Sequence, residues 1–228
     1  FEWLKDNAVV FQDGFESNNY TAWTGTASGD GGTLATVSDQ AREDTYSSKL
    51  AATQTISYGY PYKSITNTTR LYVRIYWRID TLLSGNWKAV HGAIRFSSTV
   101  GGANTARWSY WTDGTGIGGW RFFRWYPSYV ESAVDVTYGP SANTWHCLEA
   151  TLLISATVGE YKFWVDGNES TGLTETGLDT SGAGNINQFR VQTDGATHSS
   201  ATWNLWVDSV VADDANYIGP IQKYAFIL

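Results

Sequence analysis

The sequence lacks several things that would make its role easy to read. It has one cysteine, Cys147, so no internal disulfide can form and a disulfide-stapled scaffold is excluded. Lys and Arg total 15 against 22 Asp and Glu, a formal charge of −7. That balance excludes a generally basic, nucleic-acid-binding surface but leaves room for a local basic patch. No apolar run approaches the roughly 20 residues that cross a bilayer as a helix, so no membrane span is expected. Histidine occurs only at His91, His146 and His198. His146 is next to the lone thiol in sequence, and neighbouring strand residues point to opposite faces, so neither a transition-metal site nor a Cys–His dyad is expected there. Cys147 is expected to be a small buried hydrophobe. Methionine is absent, proline numbers 4, and no segment shows the period of an amphipathic helix.

What is present is aromatic and strand-forming: 12 Trp, 14 Tyr, 9 Phe and 23 Gly. Such side chains suit pleated, half-buried surfaces. The clearest pattern lies in Trp145 to Glu169. Leu148, Ala150, Leu152 and Ile154 share one face of a first strand. Tyr161, Phe163 and Val165 share one face of a second, with Lys162, Trp164 and Asp166 on the other. This is period-2 alternation around a Gly-containing turn. Strands are expected near 8–12, 33–38, 49–56, 70–80, 87–97, 106–112, 119–126, 129–138, 145–155, 160–166, 186–193 and 202–212, punctuated by Gly-rich and Asp-Gly turns. No linker or internal repeat divides them. We read one all-β domain over 1–220, with 1–7 as an N-terminal extension and 221–228 as an apolar C-terminal tail.

Five stretches together resemble a known group. They are FQDGFESNNYTAWTGTASGDGGTLATV near the start, LYVRIYWRID at 71–80, the Trp145–Gly167 hairpin, GLDTSGAGNINQFRV at 177–191 and LWVDSVVADDANYIGP at 205–220. In order and extent they are similar to the LamG-like jelly-roll domains of the concanavalin A-like lectin/glucanase superfamily. The resemblance implies a two-sheet antiparallel jelly-roll sandwich whose first and last strands pair near the middle of one sheet. It also implies a surface or secreted module, with lectins and polysaccharide-cleaving enzymes elsewhere in the superfamily. Function must come from the site, because one fold hosts many activities.

The strand at 71–80 alternates sharply. Leu71, Val73, Ile75, Trp77 and Ile79 form an apolar face; Tyr72, Arg74, Tyr76, Arg78 and Asp80 form the other. A one-residue slip would exchange the faces. If the next strand is its neighbour, His91 and Arg95 join the polar face. The strand at 119–126 then adds either Trp120, Phe122 and Arg124 or Arg121, Phe123 and Trp125. Three readings stay open for the face Tyr72, Arg74, Tyr76, Arg78, His91, Arg95 and Trp125: ordinary cross-strand pairing in solvent, a site for acidic polysaccharide through ring stacking and Arg forks, or a protein interface. No carboxylate pair of glycosidase type is evident. A polysaccharide lyase acting on uronic-acid polymers is the enzymatic alternative, with His91, Tyr76, Arg74 and Arg95 as its candidates.

Asp13, Glu16 and Asp208 would meet if the terminal strands pair, and such clustered oxygens suit a structural calcium ion; an Asp-Gly turn beside a strand-end Asp explains them equally well. Sequons at Asn19, Asn67 and Asn168 favour a glycosylated protein. The chain opens on Phe1, as an exported protein with its signal removed would. The apolar ends suggest strand addition to a second copy. The expected role is therefore a non-catalytic extracellular module, self-assembling into a filament or surface layer, with glycan adhesion as its companion. The alternatives are a lectin-like binder of acidic polysaccharide and the lyase.

Overall fold

A computed structural model describes residues 9–52, 57–82, 90–112, 118–191 and 202–221, and within these the side chains of 90, 91, 102–104 and 112 are left undescribed. The strands in chain order are β1 (Val9–Asp13), β2 (Gly25–Gly29), β3 (Gly32–Val37), β4 (Ser47–Ala52), β5 (Tyr58–Thr68), β6 (Arg70–Ile79), β7 (Val90–Ser98) and β8 (Gly102–Thr112). They continue as β9 (Gly118–Arg124), β10 (Val130–Glu131), β11 (His146–Leu153), β12 (Gly159–Val165), β13 (Asn168–Glu169), β14 (Glu175–Leu178), β15 (Ile186–Val191) and β16 (Trp203–Asp213). They form two antiparallel sheets. Sheet A runs β13-β12-β11-β6-β16-β4-β3, with β1 on β16 and β14 on β12; sheet B runs β10-β9-β8-β7-β15-β5-β2. The first and last strands pair as expected, Phe11 opposite Ala212 and Asp13 opposite Val210. The fold is the expected jelly-roll sandwich.

The alternation in the sequence becomes the core. Leu71, Val73, Ile75, Trp77 and Ile79 of β6 are all fully buried. Aromatic rings tie the sheets together: Trp77 meets Trp120 edge-on at 5.3 Å, Trp108 stacks on Phe163 at 6.0 Å and Phe122 packs on Tyr161 at 5.1 Å. These are the favoured offset and T-shaped geometries of large apolar rings.

Three expectations need correction. First, β6 and β7 are consecutive but belong to different sheets, so they cannot share an outer face. Second, His91 and Arg95 do not share a row even within β7. Arg95 stands opposite Arg107 and His91 opposite Tyr110, with the ladder irregular between Gly92 and Ile94. Positions 107 and 110 differ by an odd number, which places them on opposite faces of β8. The His91 side chain itself lies outside the described residues. Third, the strand expected at 129–138 is only Val130–Glu131 plus a bridge between Asp135 and Trp120, whereas β2, β5, β13 and β14 were not expected. Strand β5 contains Pro61, which argues against a central strand. Its ladder to β15 begins at Tyr62, and Pro61 faces only Thr26 of β2, so its missing N–H leaves no gap in that ladder.

Candidate functional site

The polar face of β6 is covered by the chain's own C-terminal segment. Glu149 stands opposite Arg74 on β11, and both its carboxylate oxygens accept backbone N–H groups, from Ile218 and Gly219, each at 2.8 Å. Arg74 Nη1 donates to the Gly219 carbonyl at 3.1 Å. The Tyr76 hydroxyl accepts from Ile221 N at 2.8 Å, and Tyr217 packs on Trp164 at 4.9 Å. Tyr72, Arg74 and Tyr76 are consequently 8%, 7% and 4% exposed. Arg78 is tied to the loop at Asn143, whose carbonyl and side chain both accept from its guanidinium. Burial raises the Glu149 carboxyl to about 7 against the pull of its two N–H donors and Arg74, and it raises the Tyr76 phenol. Three of the expected face residues, Arg74, Tyr76 and Arg78, thus hold loop and tail in place, and the expected combination of Tyr76 and Arg74 with Arg95 is divided between two sheets. Trp125 follows β9 and packs on Tyr129 at 5.5 Å.

Cys147 is buried, as expected, and burial pushes its thiol up to about 12. Its neighbour His146 turns away from it: Nδ1 lies 2.8 Å from Asp166 Oδ2, and Nε2 accepts from Ser141 N at 3.0 Å.

Asp13, Glu16 and Asp208 do converge, with Glu43 and Asp44, on one cavity of about 570 Å3 that Arg74 and Ile221 also line. An all-oxygen set of this kind suits calcium. The carboxylates are, however, already engaged. Asp13 accepts from Phe15 N and Trp23 Nε1, Glu16 from Thr45 N and Tyr46 N, and Asp208 from Arg42 N, Glu43 N and Ser209 N. Among the described residues no group of three or more His, Cys, Asp or Glu side chains is placed to hold a metal ion. The three carboxylates share a cavity without forming a cage. Burial, with Glu16 adding repulsion, raises Asp208 to about 6. Asn19, Asn67 and Asn168 are all exposed.

Sheet B carries a different pattern. Its seven strands contain Lys63, Arg95, Arg107, Arg121, Arg124 and Arg190 but a single acidic residue, Glu131. Lys63 is drawn to the Ala22 carbonyl at 2.6 Å. Arg124 is paired across the sandwich edge with Glu175 of sheet A. The other four arginines belong to the outer face, since they alternate with core residues such as Ile94, Phe96, Trp108, Trp120, Phe122 and Phe189. Three of them are direct cross-strand neighbours: Arg190 stands opposite Arg95, and Arg95 opposite Arg107. The row ends in rings, Tyr62 opposite Arg190 and Phe123 opposite Arg107. Three guanidinium-bearing positions side by side concentrate positive charge on this face.

The row is also preorganised. The Arg107 guanidinium lies 4.4 Å from the centre of the Phe123 ring. Arg190 lies 4.9 Å over Tyr60, donates through Nη1 to the Tyr60 hydroxyl at 3.1 Å and through Nε to Gln188 Oε1 at 3.0 Å. Arg121 packs over Trp111 at 4.8 Å and is paired with Glu131. The Tyr62 ring crosses to Gly25 of β2, where any Cβ would come within 2.5 Å of the phenol oxygen. Arg95 is buried at 8% exposure, while Arg107, Arg190, Tyr60 and Tyr62 are half-buried. The expected cationic and aromatic face therefore exists, but on sheet B, and Arg95 is the only member of the expected set with a described side chain in the row. The near absence of acids in 58–68, 90–98, 102–112, 118–124 and 186–191 was readable in the sequence; that these segments form one sheet was not.

No protein-family model matches the chain, and no curated protein matches it. Solved structures do. Cip1, a cellulose-induced protein, superposes with a TM-score of 0.66 at 18% identity over 92% of this chain and 100% of that one. An endo-β-1,4-glucuronan lyase from the fungus Trichoderma reesei gives 0.61 at 16% over 91% and 96%. The alginate lyase Aly36B gives 0.58 at 11% over 82% and 96%. The likeness is one of fold. At these identities it establishes the jelly-roll sandwich fold and no superfamily or residue role; the LamG-like resemblance gains no separate support from it. Among the described residues no helix is long and apolar enough to cross a membrane.

Proposed function

We propose that the outer face of sheet B binds an acidic polysaccharide. The observation that carries this reading is the row Arg190–Arg95–Arg107. In a chain of net charge −7, three arginines set side by side gather positive charge on one face, which an anionic polymer would complement. Guanidinium forks pair with carboxylate or sulfate, and Tyr60, Tyr62 and Trp111 offer ring faces beside them for sugar stacking. The fold neighbours named for glucuronan and alginate support the polymer class. The test is titration calorimetry against a polyuronate, a sulfated glycan and a neutral glucan. Binding of a charged polymer, weakened about tenfold in R107Q and in R190Q, is expected. Equal affinity for the neutral glucan would overturn the reading.

One contact favours lyase chemistry as a second reading. The Tyr60 hydroxyl touches the Arg190 guanidinium, which also holds Gln188. Arg190 and Gln188 would neutralise the uronate carboxylate, and Tyr60 would take the proton beside it. The electron pair left behind forms the ring double bond as the glycosidic C–O bond breaks, and the departing oxygen takes up a proton. This trio replaces the His91, Tyr76, Arg74 and Arg95 set. Ultraviolet absorbance from the unsaturated product, lost in Y60F with binding retained, is the expected result. No product from any bound polymer overturns it.

An exported, surface-located protein is the setting this reading expects, and the exposed sequons at Asn19, Asn67 and Asn168 are consistent with glycosylation there. Self-assembly through the apolar ends remains a separate proposal. Residues 1–8 and 222–228 lie outside the described residues, and the described part of the tail, through Ile221, is bound to its own sheet. Light scattering of the intact protein tests it: higher-order species support assembly, and a monomer at all concentrations rejects it. Structural calcium at the Asp13, Glu16 and Asp208 cavity is likewise a proposal, tested below.

A further inference from the structure

We infer that Tyr58 and Tyr62 form a stacking platform at the β2 edge of sheet B, on which the bound polysaccharide lays the flat faces of its sugar rings. This rests on the polysaccharide-binding reading above and goes further: it assigns the ring contacts and the sugar shape they select.

The platform begins in the alternation of β5. Tyr58, Tyr60 and Tyr62 are half-buried, while Gly59 and Pro61 between them are buried. Gly59 faces the core, since a Cβ there would meet Leu50 Cδ1 at 2.8 Å and Leu34 Cβ at 3.4 Å. The three tyrosines therefore stand on the outer face, where Tyr62 is opposite Arg190. Strand β2 ends the sheet on that side, with Gly25 opposite Tyr62 and Gly29 opposite Tyr58.

The glycines decide how the rings lie. Facing Cβ atoms of an antiparallel pair are about 5 Å apart, and a phenol standing upright on the sheet would carry its hydroxyl away from its partner. Instead, a Cβ on Gly25 would come within 2.5 Å of the Tyr62 hydroxyl oxygen and 2.8 Å of its Cζ, and one on Gly29 within 2.7 and 2.8 Å of the same atoms of Tyr58. Both side chains are thus laid across β2, with their phenol ends over the glycines. Neither glycine is among those with a positive φ, so these positions use the missing side chain and not the backbone freedom of glycine. A ring laid over the neighbouring strand has backbone beneath it and offers its other side to a ligand, and the C–H face of a sugar packs on such a surface. Tyr60, between them, is already taken up by the Arg190 guanidinium at 4.9 Å and sits 6.3 Å from Tyr58. The platform is therefore two rings, four residues apart on β5, or about 13 Å.

The positive charge gathered on this face makes the occupant an acidic polymer. Stacking then adds a demand on shape. A pyranose ring with all its substituents equatorial shows flat C–H faces, whereas an axial hydroxyl interrupts the face. At equal charge the platform favours the equatorially substituted uronate.

The test is titration calorimetry of the intact protein against two polymers with one carboxylate per ring: a β-linked glucuronate polymer, whose substituents are equatorial, and a guluronate polymer, which carries axial hydroxyls. The guluronate polymer is expected to bind about tenfold more weakly. Y58A and Y62A should each weaken glucuronate binding about tenfold and change guluronate binding by less than about twofold. G25A keeps every aromatic atom but displaces the Tyr62 ring, and should weaken glucuronate binding about threefold. Equal affinity for the two polymers, unchanged in Y58A and Y62A, overturns the platform and leaves polysaccharide binding intact. Equal losses for both polymers in the tyrosine variants overturn the selection by sugar shape. Failure to bind any acidic polymer overturns both readings. If a tyrosine variant fails to fold, G25A and the wild-type comparison of the two polymers still decide.

Discussion

Glu149 and Arg74 face each other on adjacent strands and hold the Gly219 peptide from both sides: Glu149 Oε2 accepts its N–H at 2.8 Å and Arg74 Nη1 donates to its carbonyl at 3.1 Å. Two buried cross-strand neighbours of opposite charge thereby form a clasp for the end of the chain. Removing Glu149 orphans two backbone donors and leaves a buried guanidinium without its acid. E149A is expected to cost about 3 kcal/mol in urea unfolding and to speed amide exchange at Ile218 and Gly219. Unchanged exchange there would show that the clasp does not hold the tail.

Two buried carboxyls make stability fall as pH rises through the mildly acidic range. Glu149 moves from an ordinary 4.5 to about 7, and Asp208 from 3.8 to about 6, both chiefly through burial. Between each pair of values the native state binds more protons than the unfolded one, so the contribution present below the unfolded pKa is lost toward the folded pKa. Asp166 works the other way. Its bonds to His146 and the Cys147 N–H outweigh burial and hold it low, so its contribution is lost as pH falls below about 4. Denaturant melts are expected to show greatest stability near pH 4 and a decline toward about 7, which E149Q and D208N each flatten. A rise through that range would contradict both assignments.

Calcium is tested by its effect on the acidic cavity. If the ion binds among Asp13, Glu16 and Asp208, millimolar calcium raises the melting temperature, a chelator lowers it, and the Asp208 contribution to the pH slope reverses, because a cation favours the ionised carboxylate. Melting curves unchanged by calcium or chelator reject the ion.

Cys147 is buried and its thiol is held near 12, so a thiol reagent is expected to modify the native protein only after unfolding. Rapid modification of the native state would show the β6–β11 face to be open.

The sequence alone determined the local structure. Alternation is a property of single strands, so the apolar row Leu71 to Ile79, the Trp145–Glu169 hairpin and the burial of Cys147 could be read from side-chain order. It also determined that the domain is a sandwich, because aromatic strands without helices have only another sheet to cover them. Which strands are neighbours was decided by the tertiary structure. Strands β6 and β7 follow one another yet lie in opposite sheets, while positions 95, 107 and 190 meet in one row. Strand pairing is long-range, and the pattern within a strand carries no label for its partner. The covering of Tyr72, Arg74 and Tyr76 by residues 217–221 was decided the same way: a polar face that awaits its own tail has the same spacing as one that awaits a ligand.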